Sequence, residues 1–568
     1  MNVQRLHVLA ALAGLLPGAA TLHAWLDATP VASAATTTVE FPHSSECAVC
    51  HSNSPNAQAM RDAAGNAIGP YDLWQGTMMA NSARDPFWRA VVAHERDATP
   101  ARSSEIAAKC TRCHAPMASV DNASDTEYLL TPERLDVPDT VADLGLDGVS
   151  CSVCHQIDPA NLGTEESFSG GIDFDRNDQA YGPHQGLIGG TMVNFTGKNP
   201  VTGPHILESK LCGSCHTLFT DTLRPDGVAT GHVLPEQTPY LEWRNSDYQD
   251  EVQPAGSRAA TCQDCHAPKD DALGNAITTA VARSPGGMDW PWLPQRNPYG
   301  RHAFVGGNTL VPAILRDNRA QLGVSAPAAA FDATIAAARQ NLQQNTATVT
   351  LPSVTRTGDD LVVVARVENR TGHKFPTGFP SRRAWIQMRI TDGSGRVVFD
   401  SGSFDNEGRL LDGRGQVLAA EAVGGPDLPH QDVVTNANSP VVYEAIMADE
   451  NGASTFTLLR GASYGKDNRL LPHGWSPTHP EAARTAPAGV GADPNFTGGF
   501  DDVTYRVRAP SVNGPYTVEA TVWYQPISAR WAAQLFTTTH PDVQRFQGFW
   551  NAANKQPERV DRATTTSN

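Results

Sequence analysis

The chain has 568 residues, of which 40% are hydrophobic and 18% are charged, and its formal net charge is −17. This acidic balance argues against nucleic acid as a partner, because proteins that bind nucleic acid present a basic face. The hydrophobic fraction, with a mean hydropathy of −0.34, excludes both a disordered chain and a polytopic membrane protein.

The N-terminal residues 1–35 have the pattern of a secretory signal peptide. Arg5 supplies a positive charge, Val8 to Ala20 form a short apolar run, and Ala32-Ser33-Ala34 offers a cleavage site. The apolar run is short for a transmembrane helix, and the alternative is an uncleaved N-terminus that associates the protein with a membrane. We expect a periplasmic or extracellular protein.

The motif Cys-x-x-Cys-His occurs five times and uses all ten cysteines of the chain. The copies run from Cys47 to His51, from Cys110 to His114, from Cys151 to His155, from Cys212 to His216 and from Cys262 to His266. Their second cysteines are Cys50, Cys113, Cys154, Cys215 and Cys265. This motif is the attachment signature of c-type haem. The two thiols bond to the two vinyl groups on one porphyrin edge, and the adjacent histidine binds iron from one face. We therefore predict five covalently attached c-type haems with iron.

Zinc sites and disulfide bonds are the competing explanations for these cysteines. Zinc sites pair two Cys-x-x-Cys units at short separation, whereas the units here start 63, 41, 61 and 50 residues apart and are odd in number. Neither zinc nor a disulfide framework requires a histidine after every copy. The pattern therefore favours haem.

The segment 36–345 holds all five motifs and predicts a loop-rich, mainly helical haem domain. Its clearest helical pattern runs from Asp72 to Glu95, with a break near Pro86. A further helix over 332–345 closes this segment. We expect short helices to present the motifs.

The segment 346–545 contains no cysteine and predicts a second domain. Strand patterns cover Ala347 to Leu351, Leu361 to Asn369, Ala384 to Asp392, Arg396 to Gly402 and Tyr516 to Tyr524. These runs predict an antiparallel β-sandwich of Ig-like type, and hence an α+β chain. Residues 546–568 are polar, and we expect a frayed tail there.

The second axial ligand of each iron decides whether that haem is saturated or open to substrate. Three histidines outside the motifs stand out by their setting. His94 ends the predicted helix, His302 lies in the glycine-containing stretch RHAFVGGN, and His373 lies in the loop TGHKFPTGFP between two strands. Met79 is a further candidate, since methionine binds haem iron and raises its potential, although a methionine on a helix is also a common core residue.

Several stretches together resemble one family over about residues 41–525. They are YDLWQGTMMANSARDPF, DGVSCSVCHQI, SKLCGSCHTL, EQTPYLEWRNSDY, RHAFVGGN and GHKFPTGFPSRRAW. The chain resembles multihaem c-type cytochromes related to the tetrahaem cytochrome that accepts electrons from hydroxylamine oxidation. Its β-strand segment resembles an accessory domain attached to many of these exported cytochromes.

The resemblance implies His302 and His373 as distal ligands. In the family a Trp-x-x-Ser-x-His segment carries another distal histidine, and here Met79 stands at that position. That haem is then bound by the methionine or by a ligand from elsewhere. His184 and His205, which precede the fourth motif, are the next candidates.

Electron transfer through closely packed haems, with redox proteins as partners, is the function that these features favour. The alternative is a multihaem oxidoreductase that acts on a small nitrogen or sulfur compound at one open haem. Related nitrite reductases use a Cys-x-x-Cys-Lys haem, which this sequence lacks. A third hypothesis gives the β-strand segment the task of docking the protein into an assembly of cytochromes.

Overall fold

The computed structural model describes residues 41–123, 129–510 and 513–567. The predicted signal peptide therefore lies outside the described residues. The α-helices are α1 Ser44–His51, α2 Pro70–Trp74, α3 Pro86–Ala98, α4 Ser103–His114, α5 Pro116–Ala123, α6 Thr140–Leu146, α7 Cys151–His155, α8 Gly190–Thr196, α9 Ser209–Gly213, α10 Pro239–Arg244, α11 Cys262–His266, α12 Leu310–Asp317, α13 Arg319–Leu322, α14 Ala328–Asn341, α15 Ala482–Thr485, α16 Ala529–Leu535 and α17 Pro541–Ala552.

The β-strands divide between small ribbons near the haem motifs and two larger sheets near the C-terminus. They are β1 Gln179–Gly182, β2 Asn199–Thr202, β3 Leu218–Leu223, β4 Ala229–Gln237, β5 Thr279–Ala280, β6 Gln295–Arg296, β7 Ala347–Thr357, β8 Asp360–Asn369, β9 Arg383–Thr391, β10 Val397–Ser401, β11 Val433–Val434, β12 Val441–Ala448, β13 Ser454–Thr455, β14 Ser463–Asp467, β15 Phe500–Arg508, β16 Tyr516–Gln525 and β17 Glu558–Ser567. Because the chain combines these helices with mainly antiparallel strands, the predicted α+β class is confirmed.

The helical pattern predicted from Asp72 to Glu95 is split into α2, a 3₁₀ turn and α3. Proline causes the second break, because Pro86 occupies the first turn of α3, where no intrahelical N–H bond is lost. The Asp85 carboxylate caps this helix by accepting a 2.8 Å hydrogen bond from the Phe87 amide. The helix predicted over 332–345 corresponds to α14, followed by a π-helical turn at Leu342–Thr346.

The C-terminal strands form a four-stranded sheet, β11-β15-β8-β7, and a seven-stranded sheet built around β12-β9-β16-β17. All pairings in these sheets are antiparallel except that of β11 with β15. Alternate residues of β8 and β15 share one buried cluster with alternate residues of β9 and β16. Two sheets that share a core in this way are compatible with the predicted sandwich.

A second buried cluster joins the two parts of the chain. It combines Val91 of α3 and Ile314 of α12 with Trp531 of α16 and Phe546 of α17. The helices that follow the sheets therefore pack against the helices that accompany the haem motifs.

The structure differs from the frayed tail predicted for residues 546–568. Helix α17 extends to Ala552, and β17 pairs with β16 at the edge of the larger sheet. Val560 is buried, and the Asp561 carboxylate accepts a 2.8 Å hydrogen bond from the Val349 amide. The tail is polar because only one face of this edge strand packs on the core.

Across the described ranges, no helix combines the length and apolar character that membrane crossing requires.

Candidate haem site

All five Cys-x-x-Cys-His motifs open onto one continuous cavity of about 1790 Å³. Its lining includes the five motif histidines and every motif cysteine except Cys50. Pockets for drug-sized ligands typically span about 300–1,000 Å³, so this cavity exceeds the space that one such ligand needs. The structure thus collects into one interior space motifs that are spread over more than two hundred residues of sequence.

Each motif begins on a helix. Helices α1, α4, α7 and α11 each contain a whole motif and end at its histidine, whereas α9 contains only the first cysteine of the fourth motif. Helix α11 shows how the sequence starts such a short element. The Thr261 hydroxyl accepts from the Asp264 amide, and the Asp264 carboxylate accepts from the Thr261 amide, which forms a capping box.

Six histidines that line the cavity donate from ring Nδ1 to a backbone carbonyl. The pairs are His51 with Val281 (2.9 Å), His114 with Ser82 (3.1 Å), His155 with Tyr181 (2.6 Å), His266 with Val305 (2.9 Å), His302 with Gly300 (3.1 Å) and His373 with Lys374 (2.9 Å). A carbonyl oxygen can only accept, so the proton lies on Nδ1 and Nε2 keeps its lone pair. This is the tautomer that binds a metal through Nε2.

Two motif histidines face a second histidine across the cavity. The ring centroids of His155 and His302 are 6.3 Å apart with ring planes 18° apart, and those of His266 and His373 are 6.4 Å apart with planes 19° apart. Two imidazoles that bind one metal from opposite sides, each through a nitrogen at about 2 Å, have centroids roughly 6 Å apart. Both pairs therefore have the spacing that an iron between them requires.

The electrostatics of the cavity favour neutral imidazole, which is the metal-binding form. Burial lowers the pKa of all five motif histidines and of His302 and His373, and it lowers the values for His114, His216 and His302 to about 4. Nearby His266 and the guanidinium of Arg382 further lower the pKa of His216.

Thiols of different motifs lie against one another. The Cys151 thiol lies close enough to Cys47 to interact with it, as do the Cys113 thiol with Cys215 and the Cys212 thiol with Cys262. These contacts join the first motif to the third, the second to the fourth, and the fourth to the fifth. All ten cysteines are nevertheless free thiols, as thioether formation with a porphyrin requires.

The structure places two predicted ligands, His94 and His205, away from the cavity lining. His94 bonds through both ring nitrogens, to the hydroxyls of Thr538 (2.7 Å) and Thr457 (2.9 Å). His205 is buried, and its Nε2 donates to the Ile157 carbonyl at 3.0 Å. In this structure, hydrogen bonds within the protein engage both ring nitrogens of His94 and the Nε2 of His205.

Two other predicted ligands, His184 and Met79, do line the cavity. Burial lowers the pKa of His184, and Arg296 lowers it further. Within the described residues, the His184 ring is not paired with the ring of a motif histidine as those of His302 and His373 are. Met78 and Met192 also line the cavity, so Met79 is one of three methionines there.

Sequence reasoning missed several groups that shape this site. The indole of Trp88 stacks on the His114 imidazole, with centroids 4.6 Å apart and planes 8° apart. Two charged groups hold the loop that carries His373: Arg382, at its end, donates to the Thr377 carbonyl, and Glu242 accepts from the Lys374 amide. The backbone carbonyls that orient the histidines leave no trace in residue identity, so only the fold could reveal them.

The residues present fit covalently bound haem. Free thiol pairs at the motif spacing, neutral histidines with available Nε2 atoms, and two histidine pairs about 6 Å apart are the donor set that such haems need.

No family model and no curated protein matches the chain. Among solved structures, the chain is similar to a penta-heme cytochrome c552 from Thermochromatium tepidum, with 15% sequence identity, 92% of this chain and 98% of that chain covered, and a TM-score of 0.49.

Proposed function

We propose that the protein is an exported pentahaem c-type cytochrome that carries electrons through a chain of covalently bound haems. The observation that supports this function most strongly is that five attachment motifs open onto one cavity in which two histidine pairs have axial spacing. Bound haem supplies reversible one-electron chemistry, and the protein tunes it through ligands, burial and hydrogen bonds.

In this proposal the ten motif cysteines hold the porphyrins and the five motif histidines each supply one axial ligand. His302 would hold the iron attached at the third motif, and His373 would hold that attached at the fifth. The backbone carbonyls that accept from Nδ1 hold these rings in orientation. The haem domain is the segment 36–345, and the segment 346–545 is a β-sandwich domain that contributes His373 from a loop.

The thiol contacts suggest the order of the haems. Cysteines attach each porphyrin at its edge, so motifs whose thiols touch bring two porphyrin edges together. Contacts between Cys47 and Cys151, and between Cys212 and Cys262, link the first motif to the third and the fourth to the fifth. Cys154 of the third motif lies near Cys212 of the fourth and completes the line. The second motif joins at the fourth through Cys113 and Cys215, so the fourth haem would be a branch point.

The expected setting is the periplasm or the cell exterior, where a signal peptide at 1–35 would direct the chain. Partner proteins would be redox proteins that exchange electrons with the terminal haems. An uncleaved N-terminus or a cytochrome assembly would place the protein at a membrane or in a larger complex.

A spectroscopic redox titration of the purified protein tests the proposed function. We expect five haems that reduce and reoxidise reversibly, with low-spin spectra for the haems of the third and fifth motifs. A protein whose absorption does not change on reduction by dithionite would refute an electron-transfer role.

A second candidate function is catalysis at an open haem. Within residues 41–123, 129–510 and 513–567, only His184, His302 and His373 line the cavity in addition to the motif histidines. Five distal positions cannot all be filled from these three histidines, so at least two irons need a different ligand or stay open. Arg382 lies near His216 and would attract an anionic nitrogen or sulfur compound.

Ligand binding separates the two candidates. A haem that binds nitrite or cyanide quickly, and turns over with nitrite or hydroxylamine, favours the oxidoreductase. Slow and weak cyanide binding at every haem favours the carrier.

A further inference from the structure

His373 reaches the cavity from a loop of the β-strand segment, between the end of β8 at Asn369 and the start of β9 at Arg383. Such a loop needs an anchor on the haem side if its histidine is to stay at one position. Glu242, a buried glutamate on α10 of the haem segment, makes direct hydrogen bonds to this loop.

Glu242 is fully buried and binds the loop through one carboxylate oxygen. Its Oε2 accepts from the Lys374 amide at 3.0 Å and from the Thr377 hydroxyl at 2.5 Å. The Lys374 residue also supplies the carbonyl that orients the His373 ring. A single residue, Lys374, thus links the Glu242 carboxylate to the orientation of the imidazole.

The charge of Glu242 belongs to a buried network. Its Oε1 lies 3.5 Å from the Arg469 guanidinium, and Arg469 pairs with Asp467 at 2.7 Å. Lys374 Nζ lies 2.6 Å from the same Asp467 carboxylate. Two cations and two carboxylates therefore balance, and removal of one charge from such a site is costly because it leaves an opposite buried charge uncompensated.

We propose that Glu242 is a positioning residue that holds His373 on the iron of the fifth motif and lowers the reduction potential of that haem. This inference rests on the proposed function. The anchor fixes the loop by hydrogen bonds, and the buried negative charge stabilises the more positive oxidised iron through a medium of low polarity.

The test compares Glu242→Ala and Glu242→Gln with the wild type by electron paramagnetic resonance and redox titration. Glu242→Ala removes the anchor, and we expect a high-spin signal from one haem of the five, which added imidazole converts back to low spin. Glu242→Gln keeps an acceptor for the Lys374 amide but removes the charge. We expect its haems to stay low-spin while the midpoint potential of one of them rises.

Glu481→Gln is the matched control. Glu481 is a buried carboxylate that pairs with Arg244 of the same helix α10 at 2.9 Å, but it does not touch the loop of His373. We expect wild-type spin states and potentials in this variant. Thr377→Val, which removes one hydrogen bond without a change of charge, should make cyanide bind one haem roughly tenfold more tightly.

Wild-type spin states in Glu242→Ala, or wild-type potentials in Glu242→Gln, would overturn the inference. If the Glu242 variants do not fold, unchanged cyanide binding in Thr377→Val would overturn it. A wild-type protein without haem would instead refute the proposed function itself. The two failures are therefore distinguishable.

Discussion

The imidazole rings of His266 and His373 lie 6.4 Å apart with their planes 19° apart. His266 belongs to the fifth attachment motif, whereas His373 belongs to the loop between β8 and β9. In the proposed arrangement, the two parts of the chain would share the ligand set of the fifth haem. This sharing gives the β-strand segment a direct role at the proposed haem chain.

Removal of His373 should open one haem. We expect His373→Ala to convert one haem of five from low spin to high spin, because its iron loses an axial nitrogen while the motif histidine stays in place. Electron paramagnetic resonance and the visible spectrum measure this change. His232→Ala, at an exposed histidine outside the cavity lining, is the control. An unchanged spin state in His373→Ala would show that another group binds this iron.

Substitution of His302 should change the spin state of one haem, whereas substitution of His94 should not. We expect His302→Ala to make one haem high-spin, since His302 faces His155. We expect His94→Ala to leave every haem spectrum unchanged, yet to lower the free energy of unfolding by about 1–3 kcal/mol, because it removes the hydrogen bonds to the Thr457 and Thr538 hydroxyls. Chemical denaturation gives the second value. A new high-spin signal in His94→Ala would show that His94 binds a haem iron.

The reduction potential of one haem tests whether Met79 is an iron ligand. Methionine ligation raises the potential of a haem above that of a haem with two histidines. We expect Met79→His to lower the midpoint potential of one haem, as a redox titration would show. Met288→His, at an exposed methionine outside the cavity lining, should leave all potentials unchanged. If Met79→His and the wild type have the same haem potentials, Met79 is not an iron ligand.

Glu95 should make stability depend on pH. Burial raises the pKa of its carboxyl from 4.5 to about 8 in the native protein. Between these values the unfolded chain binds fewer protons than the native one, so the free energy of unfolding falls as pH rises from about 4.5 to about 8. Glu95→Gln cannot titrate and should remove this part of the slope.

Urea denaturation at several pH values, compared between the variant and the wild type, isolates the contribution of Glu95. Glu105→Gln, at an exposed glutamate of α4, serves as the control and should keep the wild-type slope. A wild-type slope in Glu95→Gln as well would mean that another group causes it.

Local patterns predicted much of the fold. The runs at Leu361–Asn369 and Tyr516–Tyr524 are strands within one residue of their predicted bounds, because alternation with β-branched residues reflects one buried face. The prediction of a frayed C-terminal tail was wrong for a related reason. An edge strand such as β17 buries one face only, and its Thr-rich sequence resembles that of a loop.

The attachment motifs could be predicted because haem chemistry fixes their sequence. The distal ligands could not, because the fold decides which residue lies opposite each motif histidine. Adjacent Cys-x-x-Cys and His residues are imposed by porphyrin geometry, so the motifs are visible in sequence. Distal ligands come from anywhere in the chain. His94 has a plausible helical setting, but its position becomes clear only when Thr457 and Thr538 are seen beside it.

The mass of the intact mature protein tests the central claim most directly. Mass spectrometry under denaturing conditions should give the mass of the processed polypeptide plus five haems, because thioether bonds survive unfolding. Replacement of the two cysteines of one motif, such as Cys262 and Cys265, by alanine should remove the mass of one haem. A mass equal to that of the bare polypeptide would contradict the account.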